Sequence, residues 1–519
     1  MQVLAALLVL LAVSSALAAT ITWTGYAQNN QWNTAVNWNP DTVPGPDDDV
    51  VVYTGDVEIT TPTVIKSLLM GNQLEGYANL TIFSSFVVTN HMLVLAHGNV
   101  ILASGATAVT ASPSFTGNLA FRSGSISGAW TVAGLGDLSG PAEKVLSGAI
   151  LTLQGPSLLG GIVSIQSSSQ LVIAGASTWI HTRIQAAPNA TNAVFDTRQG
   201  TVTISTNAYI QADGSFGALQ YNAGNITIFN TVTFQSAVNI PNNSWVTTLG
   251  SAVLNVALSG SGNFVSQGQS TTFGSMSFDG LIVLSGQSAD FSGSQTSVNN
   301  VWMNAGTVAI DTGAVVAAAV FSISSGQFNV NGALSAQQLN FLGAASINGG
   351  RVTAQNLYSK AGGFGVNSWI VVTTAANFDA SQLNFQPNSG IHLKSGSSGQ
   401  TSGAVSLNGP PSMTGLVVDG TFELRSSITS TNIAVTGSGT WKVSGTRLSV
   451  SGSQIAASQI TLTHGGEVSG IQSCVNVGAI AAGTVKAKIG PCTFQCSGQC
   501  TNVNAGCSPM PTENFRFSG

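Results

Sequence analysis

The chain is 519 residues long and 43% hydrophobic, with 60 glycines and only 6% charged residues. An ordinary soluble domain is roughly 25% charged. Here Val, Ile, Thr and Phe abound while charge is scarce, which argues against a charge-rich disordered chain and predicts strands. Fourteen Lys and Arg in a chain of net charge −5 supply no basic stripe for phosphate, so no nucleic-acid partner is expected.

Residues 1–19 read as a secretory signal. The apolar stretch Val3–Val13 is too short to span a bilayer, which takes about 20 residues. Ala16 and Ala18 flank Leu17 in a small-residue cleavage pattern, placing the cut after Ala18 or Ala19. The later run TGAVVAAAVFSI is also too short, so no membrane span is expected in the mature chain. The final PTENFRFSG carries no lipid-anchor signal. A surface made of Ser, Thr, Asn, Gln and Gly fits an exported β-repeat protein better than a cytosolic enzyme.

Residues 20–48 are rich in tryptophan. From Thr22 to Val52 the chain reads TWTGYAQNNQWNTAVNWNPDTVPGPDDDVVV. Its tryptophans first suggest a sugar platform, and Asp47, Asp48 and Asp49 a calcium site. Three consecutive carboxylates cannot all point one way on an extended chain, and no Asp-x-Asp-x-Asp loop is present. After Pro-Gly-Pro the aspartates read as a solvated turn into the first strand. Trp23, Trp32 and Trp38 have the bulk to cover the exposed first coil of a stacked fold, so the segment is expected to be an N-terminal cap.

Residues 49–470 repeat one pattern, a glycine followed by alternating apolar and polar positions. It appears as GTVTIS at Gly200, GNITIF at Gly224, GTVAID at Gly306, GQFNVN at Gly326, GRVTAQ at Gly350, GTFELR at Gly420 and GTWKVS at Gly439. Each is a short strand of period 2 entered through a glycine that can take a turn conformation. Gly200 to Gly224 is 24 residues, Gly306 to Gly326 is 20, and Gly326 to Gly350 is 24. These intervals suit one coil of a solenoid of about 22 residues per turn. A propeller would need a blade motif of about 40–50 residues, and a sandwich rarely exceeds about 250 residues as one unit. The expected fold is all-β: a single-stranded right-handed parallel β-helix with an N-terminal cap and a small cysteine-rich C-terminal tail.

The body resembles the right-handed parallel β-helix of the pectin-lyase-like superfamily. The opening resembles autotransporter-passenger-like surface proteins, whose pattern falls here on Trp23, Gly25, Trp32, Asn37, Trp38, Pro44 and Asp49. The resemblance implies a secreted or surface-displayed solenoid and does not imply an enzyme.

Residues 471–519 hold all five cysteines, Cys474, Cys492, Cys496, Cys500 and Cys507. In an exported protein such a cluster reads as a disulfide-stapled module, and zinc would want paired Cys-x2–4-Cys ligands. An odd count leaves one thiol without a partner in the chain as it stands.

Four glycosylation sequons occur, at Asn79, Asn189, Asn225 and Asn242. Asn225 lies inside a strand pattern, where access is hindered. Catalysis of the kind found in the pectin-lyase-like superfamily would need clustered carboxylates with an Arg or Lys, and no such cluster stands out. Asp196 with Arg198 and Glu423 with Arg425 read as surface ion pairs. His91, His97, His181, His392 and His464 fall in no catalytic or metal motif. The doublets at Gly160, Gly349 and Gly362 read as turns. No catalytic residue, metal or cofactor is assigned. Two functions compete: a non-enzymatic wall, matrix or adhesion component binding polysaccharide or another cell-surface component, and a carbohydrate-active enzyme. Trp130, Trp179, Trp245, Trp302, Trp369 and Trp441 are candidates for stacking on sugar. The oligomeric state is left open.

Overall fold

The computed structural model describes residues 20–471, apart from breaks at 73–75, 200, 206, 217, 222–223, 236, 255, 361, 380, 445–446, 452–453 and 464–466, together with 474–483, 494–496, 500–503 and 516–517. The chain divides into two compact units, Met1–Val246 and Thr247–Gly519, and each is a parallel β-solenoid.

In the first unit, Thr20–Trp23 pairs in parallel with Asp49–Val52, which pairs with Thr63–Met70, then Ser85–Val94 and Thr107–Phe115. A second face stacks Gly55–Ile59, Ala78–Ile82, Gly98–Leu102 and Asn118–Phe121. Period-2 alternation turns every second side chain inward. Ile59, Ile82, Leu102 and Phe121 therefore lie in register over one another, all fully buried. Each such side chain contributes roughly 1.5–3 kcal/mol by burial.

The second unit repeats the plan. Val301, Phe321, Leu339, Leu357, Ala376, Gly399, Phe422 and Trp441 form one inward column. Ala376 and Gly399 are small where Phe422 fills the space; a Cβ on Gly399 would lie 2.3 Å from the Phe422 ring. Strands of the same parallel kind include Cys474–Gly483, Phe494–Cys496 and Cys500–Val503. Cys492, Cys507 and residues 1–19 lie outside the described residues, as do the side chains of Cys474, Cys496 and Cys500.

The coils are less uniform than about 22 residues. Ser322 stands opposite Asn340, 18 residues on, whereas Asn377 stands opposite Gln400, 23 residues on. Corner length varies while strand register is kept. The recurrent glycines also serve a purpose beyond turning. In the corner column Gly268, Gly286, Gly306 and Gly326, a Cβ on each of the last three would lie 1.9–2.4 Å from the carbonyl oxygen of the glycine before it. Gly439 sits likewise on Gly420 at 2.1 Å, and neither has a positive φ. Close approach of successive corners therefore selects glycine at Gly420 and Gly439 without any turn requirement. At Gly306 and Gly326, with φ 73° and 93°, it acts together with the turn conformation.

Candidate functional site

The second unit carries a polar trough on one lateral face. Strands Thr296–Met303, Val315–Ile323, Ala333–Phe341 and Ala345–Ser359 place Trp302, Ser322, Asn340 and Tyr358 in register. Gly362–Phe378, Ser398–Thr401, Thr421–Leu424 and Thr440–Ser444 continue the column with Asn377, Gln400, Glu423 and Lys442. Two residues upstream runs a second column, Gln338, Asn356, Ala375, Ser398 and Thr421. From Gln338 to Lys442 these columns border a trough of about 550 Å³. Each step along it advances about 4.8 Å.

Hydrogen bonds fix part of the column, of which Trp302, Ser322 and Asn340 lie on the coils leading up to the trough and Tyr358, Asn377 and Gln400 line it. Trp302 Nε1 donates to Ser324 Oγ at 2.8 Å, holding a half-exposed indole in place. Asn340 Nδ2 donates to Ser322 Oγ at 2.9 Å and its Oδ1 accepts from Gln338 at 3.0 Å. Ser402 Oγ donates to Asn377 Oδ1 at 3.2 Å. Along the rim, Arg425 reaches Glu423 at 3.1 Å, and Lys360 and the Tyr358 hydroxyl reach Asp379 at 3.6 and 3.3 Å. The Arg425 hydrogen bond, helped by the charges of Arg425 and Lys442, holds the Glu423 carboxyl below the usual carboxylate range.

The candidate tryptophans divide by strand parity. Trp130, Trp179 and Trp441 are buried, while Trp245, Trp302 and Trp369 are 40%, 44% and 37% exposed. Trp302 stands between inward Val301 and Met303, and Trp441 occupies the inward position of its own GTWKVS repeat. That alternation was the sequence signal that separates them. Trp369 lies over Gly390, where a Cβ would come within 2.7 Å of its ring.

Around the first coil, the three indoles are buried together, Trp38 meeting Trp23 at 4.8 Å and Trp32 at 4.7 Å, with Trp32 on Phe86 at 5.9 Å. Trp38 Nε1 donates to the Trp32 carbonyl at 2.7 Å. Asn37 is fully buried: it donates to Asn29 Oδ1 and the Gln31 carbonyl and accepts from the Ala27 amide. Thr24 N–H and Gly25 N–H donate to the Asn37 carbonyl, and Gly25 turns at φ 62° against Trp23. Pro44 precedes a turn in which Asp48 accepts from the Gly45 amide at 2.8 Å. Asp49 accepts instead from Ser67 and from Lys66 at 3.1 Å, and these bonds, Ser67 foremost, hold its carboxyl low. Asp48 and Asp49 thus serve different partners, and among the described residues no three His, Cys, Asp or Glu side chains gather as for a metal ion.

Both sequence-predicted ion pairs form, Arg198 with Asp196 at 2.5 Å and Arg425 with Glu423 at 3.1 Å. His392 Nε2 pairs with Asp419 at 2.8 Å, and the Ser438 amide and hydroxyl add bonds at 2.9 and 2.8 Å. Together, the Ser438 amide first, they hold the Asp419 carboxyl down to about 2. His97 meets the Tyr77 ring edge-on at 5.6 Å, His91 is exposed, and His181 has φ 47°; His464 lies outside the described residues. Lys144 escaped the sequence reading although it holds an inward position two before Leu146. It is fully buried, donating to the carbonyls of Gly140, Ala142 and Gly160, the last two at 2.8 and 2.9 Å. Burial, reinforced by the Arg122 charge, pushes its ammonium down to about 8. Asp290 is raised by burial and then by Asp311.

Of the sequon asparagines, Asn189 is exposed in a turn at φ 62°, and Asn242 is exposed with Oδ1 accepting from the Asn243 amide. Asn225 is exposed as well, its Oδ1 accepting from the Trp245 amide at 3.0 Å. Asn79 sits in a ladder of side-chain amides that includes Asn99 and Asn118. No helix among the described residues is long and apolar enough to cross a membrane. The chain matches no protein-family model, no curated protein and no solved structure.

Proposed function

We propose that this is a secreted, non-enzymatic component of a cell surface, wall or matrix that binds an extended polysaccharide along the lateral trough of its second unit. The finer resemblance to pectin-lyase-like and autotransporter-passenger-like β-helices belongs to this reading. The observation that carries it is the in-register column Trp302, Ser322, Asn340, Tyr358, Asn377 and Gln400. Sugar hydroxyls both donate and accept, and a carboxamide offers both functions in one plane. Aromatic rings add apolar area for the sugar face. A β-linked glycan advances per sugar by a length close to one coil, so a linear chain can repeat the same contacts along the column.

Binding is favoured over hydrolysis by the state of the trough's carboxylate. Glycoside cleavage takes one carboxyl held protonated beside a second. Glu423 is kept ionised by Arg425, and Asp379 is engaged by Lys360 and Tyr358.

The test is a titration of neutral and acidic glucans, mannans, galactans and uronans, with reducing sugar assayed in parallel. Trp302→Ala and Gln400→Ala are each expected to weaken binding by roughly tenfold, about 1.4 kcal/mol, with no sugar released. Affinity untouched by both substitutions refutes the trough, and steady release of reducing ends refutes the non-enzymatic reading.

A further inference from the structure

On the second face of the first unit, four side chains join successive coils. Asn79 Nδ2 donates to Asp56 Oδ1, Asn99 Nδ2 to Asn79 Oδ1, and Asn118 Nδ2 to Asn99 Oδ1, each at 2.7 Å, and the Leu135 amide closes the series on Asn118 at 2.8 Å. Asn79 gives to the coil before it and accepts from the coil after it. Two bonds in opposite directions require the donated hydrogen to be the one anti to the carbonyl, as in a backbone amide. The hydrogen syn to the oxygen is left pointing sideways out of the ladder. That is the hydrogen a sugar replaces when asparagine is N-glycosylated.

Asn79 also opens the sequon Asn79-Leu80-Thr81, and Tyr77, two residues earlier, projects from the same face. Tyr77 is 68% exposed, with the His97 ring meeting it edge-on. The other sequons have Ala187, Ala223 and Ile240 at that position, none of them aromatic. We infer that Asn79 carries an N-linked glycan whose first N-acetylglucosamine packs on the Tyr77 ring, with the asparagine ladder beneath it intact. The transfer forms the Nδ2–C1 bond and breaks the C1–O bond to the diphosphate of a lipid-linked oligosaccharide donor. The diphosphate leaves together with the displaced Nδ2 proton. The inference rests on the secreted reading above.

The full chain is expressed in a eukaryotic secretory host, and each sequon's occupancy is read by peptide mass spectrometry. Thr81→Ala removes the acceptor signal while leaving Asn79 in its ladder. The expected result is an occupied Asn79, and a Tyr77→Ala change that lowers the melting temperature by about 2–4 °C in the glycosylated protein but not in the Thr81→Ala background. A bare Asn79 beside a glycosylated Asn189 overturns this inference alone. No glycan at any sequon overturns it together with the secreted reading. An equal effect of Tyr77→Ala in both backgrounds overturns the packing.

Discussion

Replacing Trp38 with alanine removes a buried side chain that meets two indoles edge-on and donates to the Trp32 carbonyl. Truncating a buried tryptophan costs about 3–5 kcal/mol in lost transfer energy and cavity. Each edge-on ring pair is worth roughly 0.5–1.5 kcal/mol beyond its area. Leaving the Trp32 carbonyl without its donor costs about 1–3 kcal/mol. These contributions share one side chain and overlap, so the expected loss is about 5 kcal/mol rather than their sum. Coils of a solenoid couple chiefly to their neighbours, so the loss should be local. Amide hydrogen exchange read by mass spectrometry resolves this. Protection is expected to fall across Thr20–Trp23, Asp49–Val52 and Thr63–Met70 and to persist in Thr296–Met303. Trp245→Ala, at a half-exposed site, is expected to stay within about 0.5 kcal/mol. Unchanged protection in Trp38→Ala refutes the packing account. So does unchanged protection with lost polysaccharide binding, which would make the indoles a ligand site.

Two titratable groups give further predictions. Lys144→Met leaves three carbonyls without their donor, those of Gly140 and Gly160 in buried contacts, and should cost about 3 kcal/mol at neutral pH by chemical denaturation. The folded pKa of Lys144, about 8, lies below its ordinary 10.5, so burial disfavours the charged form. Stability of the natural chain should therefore rise as pH climbs through that window, and the methionine variant should lack this rise. Asp419 has the opposite sign: its carboxyl sits at about 2 against an ordinary 3.8, so its contribution is full above 3.8 and lost as pH falls through about 2. Melting curves across that acid window should be flatter for Asp419→Asn; an unchanged slope refutes the coupling to His392 and Ser438.

The fold was legible because its rule is local. The glycine-led strands at Gly224, Gly306, Gly326, Gly420 and Gly439 are all strands, and their alternation decides which side chains are inward. The purpose of the corner glycines was not legible, because it depends on what the previous coil presents there. The ion pairs of Asp196 and Glu423 lie two residues from their partners and could be read directly. His392–Asp419, the Asn79 ladder and the trough join residues 18 to 27 apart through corners of unequal length. Only the register brings those together. Lys144 shows the other limit. Parity places it inward, but nothing local says that three carbonyls wait there.

The scarcity of charge follows from the same register. In a parallel coil stack each outward residue faces its counterpart about 4.8 Å away. Two like charges at that distance repel by roughly 3 kcal/mol at an effective ε of 20, and like charges directly opposite destabilise strand pairs. Where charges do occur, the register can set opposites or neutral partners together: Glu423 faces Lys442, and Asp49 faces Ser67. Asp290, raised first by burial and then by nearby Asp311, and Lys144, lowered first by burial and then by Arg122, show the strain where like charges do come near. Carboxamides escape this penalty because each can give in one direction and accept in the other. Asn79, Asn99 and Asn118 do so, and Asn348 with Asn329 and Asn408 with Asn384 repeat it at 2.9 and 3.2 Å. A lateral face built under this constraint is sparsely charged, hydrogen-bonding and periodic along one axis, and the charges it does carry in the trough, Glu423, Arg425 and Lys442, gather at one end of the column. The proposed polysaccharide would meet that face chiefly through the uncharged stretch Asn340, Tyr358, Asn377 and Gln400, whose amides and hydroxyls match its hydroxyls.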